Sequence, residues 1–305
     1  MSFDRSTVHA VAATVVGRRR EIEIVVAALA ASRHILLEGP PGTGKSTLLR
    51  SLAHESEMPF VFVEGNAELT PSRLLGHFDP SRVLSEGYVP DVFIDGPLAE
   101  ALRVGALLYV EELNRVPEET LNLLITAMSE REVHVPRLGR VSAAPGFRLV
   151  AAMNPFDAVG TARISAAVYD RMCRVVMGYQ SATEEVGIAA AATGSSSGDL
   201  TGKVVELCRQ TRTHPELRVG SSVRGAIDTL LLAGQLSVLR GSGDAETLLD
   251  AALAALSGRV RIHEGSSRTV ESIITELFLS IFGNDDPTEG EPRGKVLTPA
   301  GGTTD

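Results

Sequence analysis

The stretch that most constrains this chain is GPPGTGKST, Gly39–Thr47. It fits G-x-x-x-x-G-K-[ST] and lies between HILLEG, a short apolar run, and STLLRSLAHE, a helical pattern. A strand, a glycine-rich loop and a helix in that order are what a phosphate cradle requires. Gly42 and Gly44 permit backbone angles that turn several amides toward one anion. The helix that follows presents the positive end of its dipole to the same place. Lys45 is expected to reach the β- and γ-phosphates, and the Ser46 hydroxyl to ligate Mg2+. Gly39, Pro40, Pro41, Gly42, Thr43, Gly44, Lys45, Ser46 and Thr47 are thus the expected cofactor-binding loop. The loop reads phosphates and not the base. The sequence also contains no N-K-x-D guanine reader, so ATP is expected without GTP being separated firmly.

A second feature belongs with the first. LLYVEELNR, Leu107–Arg115, is an apolar run that ends in two acids. A buried strand of this kind delivers a carboxylate to a phosphate-bound metal. Glu111 is placed to help hold Mg2+, directly or through water, and Glu112 to polarise the attacking water. The usual order is aspartate then glutamate. Glu111 is one methylene longer, and Mg2+ demands near-octahedral geometry. The longer arm serves if it acts through a bound water or if the backbone sits slightly back. The bland alternative is a solvated acidic pair at a strand end.

Five short apolar runs read as strands: HILLEG, PFVFVEG, GALLYVEE, FRLVAAMN and CRVVMGY. Helical patterns such as PEETLNLLITAMSER separate most of them, which implies a parallel sheet covered on both faces. After Tyr179 strand signals stop, and four successive segments read as helices. The expected fold class is therefore α/β, a P-loop core with a five-stranded parallel sheet followed by a small all-α domain. The expected bounds are 1–180 for the core, 181–282 for the helical domain and 283–305 for a disordered tail rich in Gly, Pro and acid.

Composition narrows the function. The 305 residues suffice for two domains. The net charge is -9, Trp is absent and aromatics make up 4%. That leaves few platforms for stacked bases and no overall polyanion-binding surface. Cys173 and Cys208 are the two cysteines and form no framework, which fits a reducing compartment. The N-terminal MSFDRSTVHA lacks a signal pattern, and no apolar run approaches the roughly 20 residues needed to span a bilayer. A cytoplasmic location is the expectation. His134 and His214 show no metal-ligand spacing.

The ordered motifs VVGRRREI, GPPGTGKST, EELNR, AAMNP, YDRMCRV and SSVRGA resemble the MoxR branch of the AAA+ ATPases, with its NorQ/CbbQ-like and chelatase-like relatives. The resemblance covers about residues 14 to 240. EELNRVPEETLNLLITAMSEREV followed by AAMNP is its most specific part. It implies roles residue by residue. Val16 and Gly17 would lie against the adenine. Asn154 matches the sensor that holds the attacking water or the γ-phosphate. Arg171 matches a finger reaching the nucleotide of the next subunit, with Arg163 and Arg174 close enough to compete. Arg224 matches a second sensor on the helical lid. Forked hydrogen bonds from guanidinium suit charge spread over γ-oxygens. Two insertions are also implied, Ser85–Leu98 and the stretch from Arg131 to Phe147, the latter with Arg131, Arg137, Arg140 and Arg148 as a local positive bias. Beyond Arg240 the chain departs from the family ending, with a turn, a short strand pair and a terminal helix.

The resemblance implies an ATPase that forms a ring, a hexamer, because a finger used in trans is useless in a monomer. It implies a chaperone-like motor that remodels or activates a partner, by metal or cofactor insertion or complex maturation. The implied partner carries a von Willebrand factor A domain. Two other readings stand beside it: a nucleotide-gated scaffold with little hydrolysis, favoured by Glu111, and the motor of a nucleic-acid-processing complex.

Overall fold

The computed structural model describes residues 3–155, 164–195 and 197–283. The chain divides into two compact units, Met1–Tyr179 and Gln180–Asp305. The expected tail lies outside the described residues beyond Gly283, as does Arg163.

The first unit is built on five parallel strands: β1 (His34–Glu38), β2 (Phe60–Glu64), β3 (Leu107–Glu111), β4 (Arg148–Met153) and β5 (Met172–Val176). Their order is β2-β3-β4-β1-β5. β1 therefore runs centrally, paired in parallel with β4 and β5, and β3 with β2 and β4. Both β1 and β4 are buried along their whole length, which is why they read as unbroken apolar runs instead of alternating ones. Successive residues still face opposite sides of the sheet. Leu36, Leu108, Val110, Leu149 and Ala151 pack with the helices Pro97–Val104 and Glu118–Glu130. Ile35, Leu37, Leu107, Tyr109, Val150 and Ala152 pack with the helices Arg5–Thr14, Arg19–Ala30 and Lys45–Glu55. No helix among the described residues is long and apolar enough to cross a membrane.

Two antiparallel hairpins interrupt the core. The first pairs Gly76–Phe78 with Phe93–Asp95 and carries the helix Pro80–Glu86 between them. It begins nine residues before the expected Ser85, because Thr70 and Asp79 cap short helices that local periodicity does not reveal. The second pairs Glu132–Val135 with Gly139–Ser142. Its arginines are engaged. Arg131 donates to the Ala144 carbonyl (3.0 Å), Arg140 pairs with Glu132 (3.3 Å), and Arg137 lies 3.8 Å over the Tyr88 ring of the first hairpin. Arg148 is 8% exposed and donates to Pro145 and Phe147 carbonyls and to Ser32. The positive bias expected of this segment is thus largely spent on internal partners.

The second unit holds the helices Ala182–Thr193, Asp199–Thr213, Val223–Arg240, Ala245–Leu256 and Val270–Phe282. Ser181 opens the first with a reciprocal capping box to Glu184. Val204, Cys208, Ala226, Leu256, Ile273 and Phe278 form its core. Burial pushes the Cys208 thiol up to about 12, so it is an inert core group. The unit is not wholly helical: it holds a short strand beyond Arg240 as expected, although that strand's partner lies before Arg240. Arg261–Ile262 pairs antiparallel with Leu217–Val219, a two-stranded ribbon whose halves lie too far apart in sequence, and are too short, for a hairpin signal.

Candidate functional site

The carboxyl end of the sheet gathers the predicted groups. β1 ends at Glu38 and the loop turns at Gly39, whose amide donates to the Met153 carbonyl (3.2 Å). A Cβ on Gly39 would stand 2.1 Å from the Met177 carbonyl oxygen, so only glycine fits there. Gly42 and Gly44 have φ of 75° and 85°, the left-handed region that glycine enters without strain. The helix Lys45–Glu55 starts at once, with Gly44 as its N-cap. Lys45 is 9% exposed, and its Nζ donates to the Gly39 and Pro40 carbonyls at 2.8 and 2.9 Å. Thr43 is fully buried, its hydroxyl donating to the Pro40 carbonyl.

The acidic strand end meets this loop. Ser46 Oγ donates to Glu111 Oε1 at 2.8 Å. The same Oγ lies 3.2 Å from the Tyr109 hydroxyl. Glu112, the next residue, has φ 52°, the left-handed region rare for a side chain other than glycine. That turn takes the chain from β3 into the short 3-10 helix Leu113–Arg115, and Arg115 pairs with Glu112 at 3.0 Å. Non-glycine residues held this way cluster where chemistry needs an exact side-chain direction. β2 runs in register beside β3, Glu64 opposite Glu111. Just past it, the Gly65 amide donates to the Glu111 carbonyl at 2.7 Å. Asn154 follows β4, and the Asn114 side-chain amide donates to its carbonyl at 3.3 Å.

The remaining predicted residues are distributed differently. Val16 is 40% exposed, and Gly17 has φ 68°. Arg171 donates from Nε to Ser129 Oγ (2.6 Å) and from a terminal nitrogen to the Ala167 carbonyl (3.0 Å). Arg174 is bound to Glu38, its Nε and a terminal nitrogen both 2.5 Å from the same oxygen. Arg224 is exposed in the first turn of the helix Val223–Arg240 of the second unit.

Three contributions went unread in the sequence. Arg18 is 3% exposed and donates to the Thr43 carbonyl (3.0 Å) and the Gly178 carbonyl (2.6 Å), tying the loop's backbone to the chain beyond β5. Glu38 is 2% exposed and accepts from Arg174 and from the Tyr169 hydroxyl (2.9 Å). Burial, then Glu38, raises the Tyr169 pKa. Tyr109 is wholly buried, and burial pushes its hydroxyl well above the usual phenol range. Arg18 pairs locally with Glu21 (3.2 Å), but the carbonyls it ties together are 25 and 160 residues away, and the partners of Glu38 are 131 and 136 residues away, so neither role leaves a local signal. Tyr109 did leave one: a hydroxyl two residues before Glu111, on the same strand face.

Comparison with known proteins agrees with this geometry. The family model for the AAA domain, dynein-related subfamily, matches residues 34–172. An uncharacterized protein of Staphylococcus epidermidis is 36% identical over 150 residues, 48% of this chain and 56% of that protein. The chain thus spans about half the length of the staphylococcal relatives it matches. The gas vesicle ATPase GvpN1 of Halobacterium salinarum is 26% identical over 268 residues, 82% of this chain and 76% of that protein. A crystal structure described as a candidate ATPase from Cytophaga hutchinsonii superposes with a TM-score of 0.52 at 19% identity, covering 90% of this chain and 92% of that one. The RuvB Holliday junction branch migration motor of Thermotoga maritima gives 0.53 at 16%, covering 79% and 70%. At such identities the structural likeness concerns the fold alone. The motif order, the five-stranded sheet and the sequence matches agree on an AAA domain over residues 34–172 and on the fold of a P-loop ATPase core.

Proposed function

We propose that this chain hydrolyses ATP with Mg2+ and works as a ring, each nucleotide held by one subunit and completed by an arginine of the next. The observation that carries the proposal is the 2.8 Å hydrogen bond from Ser46 Oγ to Glu111 Oε1, which joins the phosphate loop to the acidic strand end. The donors gathered there are a hydroxyl and a carboxylate, hard oxygens without sulfur or imidazole, which suits Mg2+. Ser46 and Glu111 would hold the ion, which neutralises charge on the phosphate oxygens when bound.

The chain's own groups divide the remaining work. The amides of Gly42, Gly44 and Lys45 and the Lys45 ammonium bind the phosphates. Val16 and Gly17 lie against the adenine. Asn154 orients the attacking water. Glu112 accepts a proton from that water as it attacks the γ-phosphorus and the bond to the β–γ bridging oxygen breaks, releasing ADP and phosphate. Arg224 senses the nucleotide from the lid. Arg174 is held at 2.5 Å by the buried carboxylate of Glu38, whereas Arg171 bonds the neutral Ser129 and Ala167 oxygens and its pairing with Asp170 is looser at 3.9 Å, which favours Arg171 as the finger.

The ring acts as a chaperone-like motor on a partner protein, and the MoxR type favours one with a von Willebrand factor A domain. A nucleic-acid client is disfavoured by the net charge of -9 and by the internal partners of the hairpin arginines. The test is complementation in mixed rings. Subunits carrying Glu112→Gln keep the finger and lack the base, while Arg171→Ala subunits keep the base and lack the finger. Mixing should restore turnover several-fold above either alone. A mixture no faster than the sum of its parts contradicts a finger used in trans.

A further inference from the structure

Residues 107, 109 and 111 share one face of β3, because side chains alternate along a strand. That face is the one covered by the helix Lys45–Glu55, and Leu48, Leu49 and Leu52 of that helix share a core with Leu107 and Tyr109. The Tyr109 ring is fully buried, with the Phe60 and Phe62 rings of β2 at 6.1 and 5.6 Å between centroids. Packed so, the phenol cannot swing away, and its hydroxyl emerges 3.2 Å from the Ser46 hydroxyl, which is itself bound to Glu111.

Counting protons fixes the direction of each bond. Ser46 has one hydroxyl proton and gives it to Glu111 at 2.8 Å. At the 3.2 Å contact between Ser46 and Tyr109 the phenol must then be the donor. The single phenol proton is thus given to Ser46 and the single Ser46 proton to Glu111, a chain of two bonds from Tyr109 to the carboxylate. A phenylalanine would fill the same space and supply no proton to that chain.

From this geometry we propose that Tyr109 is a positioning residue for Glu111, holding the long carboxylate arm in the orientation a shorter aspartate would adopt unaided. The proposal rests on the nucleotide-site function given above. Glutamate has one more rotating bond than aspartate, and its carboxylate reaches about 1.5 Å further. Unrestrained, it spreads over several rotamers, few of which face Ser46. With the Ser46 proton given to the carboxylate and the Tyr109 proton holding Ser46 in that orientation, one arrangement dominates. When the Ser46 oxygen turns to a metal, the phenol proton still has Glu111 to bind, without any movement of the ring. The pairing of a tyrosine at 109 with a glutamate at 111 is then one adaptation and not two.

A double-mutant cycle on the full chain tests this, with Glu112→Gln in every protein so that nucleotide is not consumed. The readout is Mg2+-dependent binding of a fluorescent ATP analogue, followed as Mg2+ is titrated. Tyr109→Phe should raise the half-saturating Mg2+ concentration about ten-fold, the value of one hydrogen bond to a charged group. Binding of the analogue in EDTA should not change, since the loop backbone is intact. In a Glu111→Asp background the same Tyr109→Phe change should shift the Mg2+ titration less than two-fold. An equal shift in both backgrounds, or none with Glu111 present, overturns the proposal. A loss of EDTA binding equal to the loss with Mg2+ also overturns it, since Tyr109 would then be structural only. Failure of every protein, Glu112→Gln alone included, to bind the analogue would instead overturn the nucleotide reading itself.

Discussion

His34 opens β1, is 7% exposed, and accepts from the Leu149 amide through Nδ1 at 2.9 Å. Burial, and then the nearby Arg148 charge, lower its pKa from 6.5 to about 4. The folded chain therefore refuses a proton that the unfolded chain accepts below pH 6.5. Stability is full above that value and falls as pH drops from about 6.5 to about 4, by up to roughly 3 kcal/mol. His34→Gln keeps an acceptor for the Leu149 amide and removes the titration. Urea melts at stepped pH should show the variant losing less stability than the natural chain across that window, and parallel curves would assign the slope to other groups. Glu112 and Tyr109 show the same economy at single positions. A left-handed backbone aims one carboxylate, and a buried phenol reaches the other through Ser46.

At the scale of elements, the position of the acidic pair depends on β2 as much as on β3. A Cβ on Gly65 would stand 2.5 Å from the Glu112 carbonyl oxygen, 2.7 Å from that of Glu111 and 2.8 Å from Val116. Gly65→Ala should therefore push the end of β3 away from Ser46. The expected stability cost is about 1–3 kcal/mol, with turnover falling at least ten-fold, on the principle that small displacements of catalytic groups cost orders of magnitude. Turnover and a thermal melt on the same sample check it, and unchanged turnover would mean that β3 alone sets the acidic pair. The five strands and the phosphate loop were legible because each is a local pattern: an apolar run, glycines at fixed spacing, a helical period. Gly65 was read only as a strand terminus, since a close approach between neighbouring strands has no local signature. The pairing of Arg261–Ile262 with Leu217–Val219, in place of a neighbouring strand, and the early start of the first hairpin escaped for the same reason. Arg18 stands in a run of three arginines with nothing local to single it out, and only the fold brings it to the Thr43 carbonyl.

For the whole molecule, the family match covers residues 34–172 and the fold likeness most of the chain, while the proposed catalytic cycle rests on a handful of side chains at the carboxyl end of one sheet. The departure at Glu111 could have ended that cycle. Its 2.8 Å bond to Ser46 supports the proposal that the longer acid still serves and that the site hydrolyses nucleotide in preference to acting only as a nucleotide-gated scaffold. The most direct test is steady-state ATP turnover with saturating Mg2+, at subunit concentrations high enough for ring assembly, comparing the natural chain with Glu112→Gln. Glutamine keeps the shape of the side chain and cannot take the proton from water. We predict turnover at least a hundred-fold above the variant, with both proteins binding ATP equally. Equal rates with equal binding would contradict hydrolysis at this site.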